Sequence, residues 1–312
     1  MADAVSASSS PVIAAPTPAG GASILARLGV FARDIKIAHT VFALPFALLA
    51  TFLAAGGMPR AGQLGLILLC MASARTVAMS SNRLLDAELD ARNLRTAGRA
   101  IPSGRLSRGF FRAILAACAM AFVGSTALFR VVYANPWPLY LSGPVLLFLG
   151  AYPLLKRFTR LCHYYLGAAL GLAPICAWVA IAGHVSLTPL LMGAAVLLWT
   201  AGFDIIYACQ DYHSDLETGV VSVPARIGIG PALRVARVTH GLSAGLLIAV
   251  GASSPQLGAI YFVGSGMAVA LLIMQHAMVR AEDMSRAPVA FATMNGMLST
   301  VVGTLGIIDV FV

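Results

Sequence analysis

Residues 62–88 read GQLGLILLCMASARTVAMSSNRLLDAE, and this stretch decides the class of fold. Up to Asn82 it contains a single charged side chain, that of Arg75. It exceeds the roughly 20 residues that an α-helix needs to cross a bilayer. The carboxylates Asp86 and Glu88 come only at its far end. The stretch therefore predicts a membrane-spanning helix that carries acidic groups at one end.

The composition extends this interpretation to the whole chain. Of its 312 residues, 59% are hydrophobic and 11% are charged, and the mean hydropathy is +0.86. A soluble domain usually has about a quarter charged residues, so a soluble globular fold is excluded, as is disorder of the bulk of the chain. The five cysteines form no CxxC pair, which argues against a disulfide scaffold. We predict an all-α, multi-spanning membrane helical bundle.

Nine apolar segments are long enough to be predicted transmembrane helices. They lie at about 35–57, 62–88, 110–129, 137–155, 161–183, 189–210, 232–251, 256–279 and 289–311. Residues 1–23, rich in Ala, Ser and Pro, are predicted to form a disordered tail. Residues 24–312 are predicted to form one transmembrane domain.

The distribution of basic residues predicts the orientation. With the N-terminus in the cytoplasm, 17 of the 21 Lys and Arg residues lie on the inner side, and only Arg60 and Arg130 lie outside. This asymmetry follows the positive-inside rule. The net charge of +9 is spread over short gaps between apolar runs, so we predict no nucleic-acid partner. The predicted location is the cell (inner) membrane.

Seven of the twelve acidic residues fall in two short windows. In the first window, Asn82, Asp86 and Asp90 are spaced four residues apart. Each such step rotates only about 40° around an α-helix, so the three side chains share one face. Like charges stacked in this way repel each other, so such a helix end either lies in water or holds a cation.

The second window has the same character. Asp204, Tyr207, Asp211 and Asp215 are spaced 3, 4 and 4 residues apart at the end of the sixth predicted span. The second and sixth spans are an even number of crossings apart, so both windows emerge on the cytoplasmic side. Carboxylates suit Mg²⁺, which usually completes its shell with water and substrate phosphates. We predict that the two windows face each other and hold Mg²⁺ and a diphosphate between them.

At these residues the sequence resembles the UbiA superfamily of intramembrane prenyltransferases. The first family motif, Asn-x-x-x-Asp-x-x-x-Asp, matches the first window, and Asp-x-x-Tyr-Ala-x-x-Asp-x-x-x-Asp matches the second. Three further stretches are similar to the family: NLRTAGRAIPSG (93–104), YPLLKR (152–157) and SVPARIG (222–228). The resemblance implies that Mg²⁺ is held by Asn82, Asp86, Asp90, Asp211 and Asp215.

Within the superfamily, the sequence looks most like the 4-hydroxybenzoate polyprenyltransferases. The stretches IKIAHTVFALPFALLA (35–50) and DIIYACQD (204–211) resemble the members linked to menaquinone made through futalosine. One departure is Arg83, where many relatives have Asp, and it bears on the subfamily only.

The resemblance implies a Mg²⁺-dependent polyprenyltransferase of quinone biosynthesis. It would join a polyprenyl diphosphate to an aromatic hydroxy acid of the 4-hydroxybenzoate type and release diphosphate, next to membrane lipid. An alternative acceptor is a dihydroxynaphthoate, in menaquinone biosynthesis. Sister enzymes with other acceptors and, from another class, a multi-pass transporter remain as alternatives; a transporter would place acids near the bilayer midplane.

Two residues are predicted to be catalytic. Arg75 lies deep in its span, two turns from Asn82, and is predicted to bind the acceptor carboxylate; snorkelling or an ion pair with a neighbouring helix is the alternative. Asp204, two turns deeper than Asp211, is predicted to accept a hydrogen bond or proton from the acceptor hydroxyl. Its alternative role is an ion pair with Arg75 or another cation.

Besides Arg75, four residues are predicted to contact substrate. Lys156, Arg157 and Arg99 are candidates for the diphosphate, although inner-side basic residues often serve only topology or lipid contact. Tyr207 is a candidate for the acceptor pocket, or a core tyrosine with a bonded hydroxyl.

Overall fold

A computed structural model describes residues 23–36 and 42–312, which are helical and contain no β-strand in this part of the chain. The helices are α1 (Ile24–Asp34), α2 (Leu44–Ala55), α3 (Ala61–Arg92), α4 (Arg108–Tyr133), α5 (Trp137–Leu155), α6 (Cys162–Ala182), α7 (Leu187–Ala208), α8 (Tyr212–Thr218), α9 (Val223–Ile227), α10 (Ile229–Ser253), α11 (Ala259–Met278), α12 (Ala287–Val289) and α13 (Asn295–Asp309). A 3₁₀ turn, Cys209–Asp211, joins α7 to α8, and a π turn, Ala290–Met294, precedes α13.

The prediction of an all-helical membrane bundle is confirmed. Eight helical stretches of the described chain are long and apolar enough to cross a membrane, and α2, with 12 residues, is a shorter apolar helix. It represents the first predicted span, 35–57, part of which lies outside the described residues. The count of nine spans and the side of the N-terminus stay predictions. The predicted tail also lies almost entirely outside the described residues.

Close packing of α6 on α7 fixes the geometry at the start of α6. A Cβ atom at Gly167 would lie 2.2 Å from the Leu197 carbonyl oxygen, and one at Gly171 would lie 2.4 Å from that of Gly193. Small residues at such a spacing let membrane helices approach backbone to backbone. The start of α6 is thereby held against the end of α7.

Two local features differ from the sequence prediction. The second acidic window is not one continuous helix, because α7 ends at Ala208 and the 3₁₀ turn precedes α8. A 3₁₀ turn has 3.0 residues per turn, so it rotates the residues after it relative to the α-helical face that we predicted. The second feature is α1, a helix that precedes the first predicted span, which was placed at about 35–57. It begins after the N-cap Ser23, whose Oγ accepts a hydrogen bond from Ala26 N.

Candidate active site

A cavity of about 320 Å³ brings both acidic windows together. It lies among the end of α3 with the segment that follows it, the end of α5, the start of α6, and α7 with α8. Five carboxylates and six basic side chains line it. They are Asp86, Asp90, Asp204, Asp211, Asp215, Lys36, Arg75, Arg83, Arg95, Arg99 and Lys156.

Asp86 is the most deeply buried of these carboxylates, and its side chain is 1% exposed. Its Oδ2 accepts hydrogen bonds from Asn82 Nδ2 at 2.5 Å and from Lys156 Nζ at 2.6 Å. Its Oδ1 is buried and has no hydrogen-bond partner among the described residues. A buried charged oxygen without a partner is unfavourable, so this atom fits a position that binds a cation.

Asp90 lies one turn further along α3 and is paired with Arg99. The Arg99 guanidinium reaches both carboxylate oxygens at 2.7 Å. Thr96 Oγ1 donates to the backbone carbonyl of Asp90 at 3.0 Å, which folds the chain after α3 back over the helix end. Arg99 thus contacts a carboxylate of the first window, and its role as a diphosphate ligand stays a prediction.

A buried ion pair supports the first window from behind. Arg83 Nε donates to Asp34 Oδ2 at 2.9 Å, and both side chains are 3% exposed. Arg83 NH1 donates to Asn82 Oδ1 at 2.6 Å, and Asp34 Oδ1 accepts from Ala100 N at 2.6 Å. Asp34 therefore ties α1 to the window and to the segment that follows α3. The amide oxygen of Asn82 is engaged by Arg83, which weighs against its predicted role as a metal ligand.

Arg95 connects the two windows, and the sequence reasoning missed it. Its guanidinium forms a two-point pair with the Asp211 carboxylate and donates to Tyr207 Oη at 2.8 Å. Asn93 Nδ2 also reaches Asp211 Oδ1, at 3.1 Å. Burial lowers the pKa of Arg95, but the hydrogen bonds and charge of Asp211 outweigh it and raise the pKa above its usual value. The only signal was its place in the family-like stretch 93–104.

Asp215 is held by a neutral donor. Ser222 Oγ donates to its Oδ2 at 2.7 Å. The neighbouring Val221 N donates to the Lys156 carbonyl oxygen at 2.7 Å. The segment before α9 therefore connects Asp215 of the second window to Lys156, whose ammonium group contacts Asp86.

Asp204 has a partner that the sequence reasoning did not consider. Its Oδ2 lies 2.7 Å from His163 Nδ1, and its side chain is 25% exposed and lines the cavity. The alternative was an ion pair with Arg75 or another cation. No ion pair among the described residues involves Arg75, and the contact with His163 is an ion pair when the ring is protonated. No spacing rule links residues 163 and 204, so the contact had no sequence signal.

Arg75 and Tyr152 lie between the polar cavity and a second, apolar cavity of about 180 Å³, and they line both. Arg75 NH2 donates to the Lys36 carbonyl oxygen at 3.1 Å. Its Nε is buried and has no partner among the described residues. The apolar cavity lies among α3, α4, α5 and α6, and its lining includes Met71, Phe122, Val145, Leu149 and Leu170.

Arg157 is the one predicted contact residue that does not line the polar cavity. Its side chain is exposed, and its guanidinium donates to the Leu85 carbonyl oxygen at 2.6 Å. Among the described residues, the guanidinium thus contacts the backbone of α3, and no bond to a carboxylate of the windows is observed. The prediction that Arg157 binds diphosphate gains no support from this position.

The described residues contain no group of three or more His, Cys, Asp or Glu side chains close enough to bind one metal ion. Mg²⁺, however, commonly binds through one or two carboxylates and takes its other ligands from water and phosphate. The donor set of Asp86 and Asp90 facing Asp211 and Asp215 is of this type, and the unpartnered Asp86 Oδ1 is a free ligand atom. The residues present therefore fit Mg²⁺ bound together with a diphosphate.

Comparison with known proteins agrees with this geometry. Residues 43–298 match the UbiA prenyltransferase family. The 4-hydroxybenzoate octaprenyltransferase of Marinobacter nauticus is 32% identical over 257 residues, which are 80% of this chain and 84% of that protein. The enzyme of the same name from Tolumonas auensis is 30% identical over 269 residues, 86% of this chain and 92% of that protein.

Solved structures share the fold. The apo structure of a UbiA homolog from Aeropyrum pernix K1 has a TM-score of 0.74 at 30% identity and covers 88% of this chain and 98% of its own. A UbiA homolog from Archaeoglobus fulgidus bound to GPP and Mg²⁺ has a TM-score of 0.68 at 19% identity, covering 91% of this chain and 100% of its own. At 19% identity, the similarity to this second structure is evidence for the fold alone.

These matches define an integral membrane prenyltransferase. The chain belongs to the UbiA prenyltransferase family and is of the 4-hydroxybenzoate polyprenyltransferase-like type. The transporter alternative is therefore not retained. Membership of the menaquinone-linked branch stays a prediction.

Proposed function

We propose that this chain transfers a polyprenyl group from its diphosphate to an aromatic hydroxy acid of the 4-hydroxybenzoate type, in a Mg²⁺-dependent reaction of quinone biosynthesis. The observation that carries the proposal is a single cavity in which carboxylates of both windows are paired with basic side chains. Such a set of paired charges suits a ligand that brings both cations and phosphates. The named activity of the relatives from Marinobacter and Tolumonas supports the acceptor.

The basic residues of the cavity are the proposed diphosphate ligands. Lys156, Arg99 and Arg95 each contact one carboxylate of the windows. With a metal-bound diphosphate in the cavity, the same cations would exchange a carboxylate partner for a phosphate oxygen. We propose Asp86, Asp90, Asp211 and Asp215 as the metal ligands, and Asn82 as a weaker candidate because its amide oxygen is engaged by Arg83.

The neighbouring apolar cavity is the proposed site of the isoprenoid chain. It meets the polar cavity at Arg75 and Tyr152, so a diphosphate in one can be joined to a tail in the other. Burial of the tail among apolar side chains is favourable, and its walls keep water from the reacting carbon.

Arg75 is the proposed ligand of the acceptor carboxylate. Its buried guanidinium has an Nε without a hydrogen-bond partner among the described residues, and a carboxylate would satisfy it. Asp204, which lines the same cavity, is the proposed acceptor of the hydroxyl proton. Tyr207 is a proposed contact of the acceptor ring, with its hydroxyl bonded to Arg95.

The reaction breaks the allylic carbon–oxygen bond of the donor, and its electron pair leaves with diphosphate. The ring carbon beside the hydroxyl forms the new carbon–carbon bond, and its displaced proton leaves with diphosphate. Mg²⁺ held by the carboxylates of the windows would stabilise the negative charge that grows on the leaving group. Lys156, Arg99 and Arg95 add to that stabilisation from fixed positions. We propose that the cavity faces the cytoplasm, on the basis of the distribution of basic residues.

The proposal is tested by incubating the purified protein, in lipid nanodiscs, with a polyprenyl diphosphate and a panel of aromatic acids. We expect a prenylated acid by mass spectrometry and equal release of diphosphate, both abolished by EDTA and restored by Mg²⁺. A panel that contains 4-hydroxybenzoate and a dihydroxynaphthoate separates the two predicted acceptors. Absence of product with every acid would contradict the proposal.

A further inference from the structure

A histidine that no sequence pattern pointed to lies at the back of the cavity. His163, in the first turn of α6, is 3% exposed. Its Nδ1 lies 2.7 Å from Asp204 Oδ2, while its Nε2 lies 3.1 Å from the backbone nitrogen of Val223. Both ring nitrogens therefore have a hydrogen-bond partner, one a carboxylate and the other a backbone N–H.

The Val223 contact fixes the proton on the ring. A backbone N–H can only donate, so Nε2 must accept with its lone pair. The ring is then neutral, and its one N–H is on Nδ1, where it donates to Asp204. A neutral donor stabilises the ionised Asp204 carboxylate without adding a positive charge to the site.

The surrounding structure holds this arrangement in place. The approach of α6 to α7 at Gly167 and Leu197 brings the two side chains together. The neighbour of Val223, Ser222, donates to Asp215. One short segment thus orients the His163 ring and a carboxylate of the second window.

We propose that His163 is a positioning residue that holds Asp204 as an ionised, oriented acceptor of the hydroxyl proton. The His163 Nδ1–H occupies Asp204 Oδ2, which leaves Oδ1 for the acceptor hydroxyl. The hydroxyl O–H bond breaks as its proton passes to Oδ1, and the proton returns to the phenol oxygen when the ring regains aromaticity. This inference rests on the proposed function and adds a residue to it.

Three substitutions separate this role from a merely structural one. His163→Asn keeps a side-chain N–H near the position of Nδ1 and loses the acceptor for Val223. His163→Gln keeps an acceptor near the position of Nε2 and loses the donor to Asp204. His163→Phe keeps the ring volume and loses both. His184→Phe, which alters an exposed histidine outside the cavity, is the control.

We expect His163→Gln and His163→Phe to lower kcat at least about tenfold. The KM for the polyprenyl diphosphate should stay within about twofold, and His163→Asn should retain most of kcat. If His163 only anchors the segment at Val223, the order reverses: the Gln variant stays active, and the Asn variant loses kcat and diphosphate affinity together. Either that order or full kcat in all three variants overturns the inference.

A second measurement does not depend on activity. Solid-state ¹⁵N NMR of the histidine-labelled full chain, with His163→Asn to assign the signal, reports which ring nitrogen carries the proton. We expect a neutral ring protonated at Nδ1, whose signal shifts in Asp204→Ala. A doubly protonated ring, or one protonated only at Nε2, overturns the inference. Failure of the proposed function would appear separately, as a wild-type protein that makes no prenylated product.

Discussion

The two acidic windows carry similar spacing, yet the protein builds them in different ways. The first lies on one uninterrupted helix, α3, and its paired carboxylates are nearly inaccessible: Asp86 is 1% and Asp90 is 7% exposed. The second is divided by a 3₁₀ turn, and its carboxylates are more open: Asp211 is 16% and Asp204 is 25% exposed. The first window lies on a single helix, and the second is built from the end of α7, the 3₁₀ turn and α8.

The hydrogen-bond and ion-pair partners of the carboxylates also differ between the two windows. In the first window, Asp86 and Asp90 are each paired with a cation, and the buried pair of Asp34 and Arg83 supports the helix from behind. In the second, Asp211 is paired with the cation Arg95, Asp215 accepts a hydrogen bond from the Ser222 hydroxyl, and Asp204 contacts the His163 ring. Of the metal ligands that we propose, those of the first window are therefore more deeply buried than Asp211 of the second.

The largest effect is expected from breaking the first window. Asp86→Asn removes the charge from a buried carboxylate whose Oδ1 has no partner among the described residues. We expect kcat/KM for prenyl transfer to fall by about 10³-fold, or about 4 kcal/mol, because a preorganised electrostatic contact is lost. Glu88→Gln is the matched control: its side chain, two residues away on α3, is 81% exposed, and activity should change less than about twofold. Equal losses in the two variants would contradict the comparison.

The support of the first window is tested through stability. Arg83→Met leaves Asp34 buried without its charged partner, which should lower the free energy of unfolding by about 3 kcal/mol. Reversible unfolding of the protein in mixed micelles measures this loss. The double variant Asp34→Leu with Arg83→Met removes both charges and should recover part of the stability. A single variant as stable as the wild type would show that this pair does not anchor the window.

The second window depends on the approach of α6 to α7. Gly167→Ala places a Cβ 2.2 Å from the Leu197 carbonyl oxygen, so the helices must separate. We expect a loss of about 2 kcal/mol in stability and a fall in kcat as His163 and Asp204 move apart. Gly241→Ala in α10, where a Cβ would meet nothing within 4 Å, is the control. Unchanged melting in Gly167→Ala would argue against this packing.

The link between the windows should give the smallest effect. Arg95→Gln removes the pair with Asp211 and the bond to Tyr207. We expect the KM for the polyprenyl diphosphate to rise about tenfold, with less change in kcat. Arg108→Gln, which alters a half-exposed arginine paired with Glu88, should leave KM unchanged. Steady-state kinetics at saturating aromatic acid measure both variants.

The sequence was sufficient for the parts of the fold that local physics determines. Apolar runs of spanning length predicted the membrane helices, and carboxylates at i, i+4 spacing predicted the face of α3 that lines the cavity. It failed where the chain departs from ideal helix. Nothing in Cys209–Asp211, which contains neither Gly nor Pro, signals a 3₁₀ turn.

Contacts between distant residues were beyond reach for another reason. Arg95 meets Asp211 across 116 positions, and His163 meets Asp204 across 41. Such pairs arise from how the helices pack, and no periodicity in one sequence records them. Arg83 shows the same limit: the sequence marked it as a departure from the family, but only the structure pairs it with Asp34.

We propose that both windows together hold one metal-bound diphosphate. The most direct test of this proposal is a structure of the full chain with Mn²⁺ and a non-reactive prenyl thiodiphosphate. We predict a diphosphate between the windows, with metal bound on one side by Asp86 or Asp90 and on the other by Asp211 or Asp215. A diphosphate that contacts a single window, or metal that avoids all four carboxylates, would contradict the account.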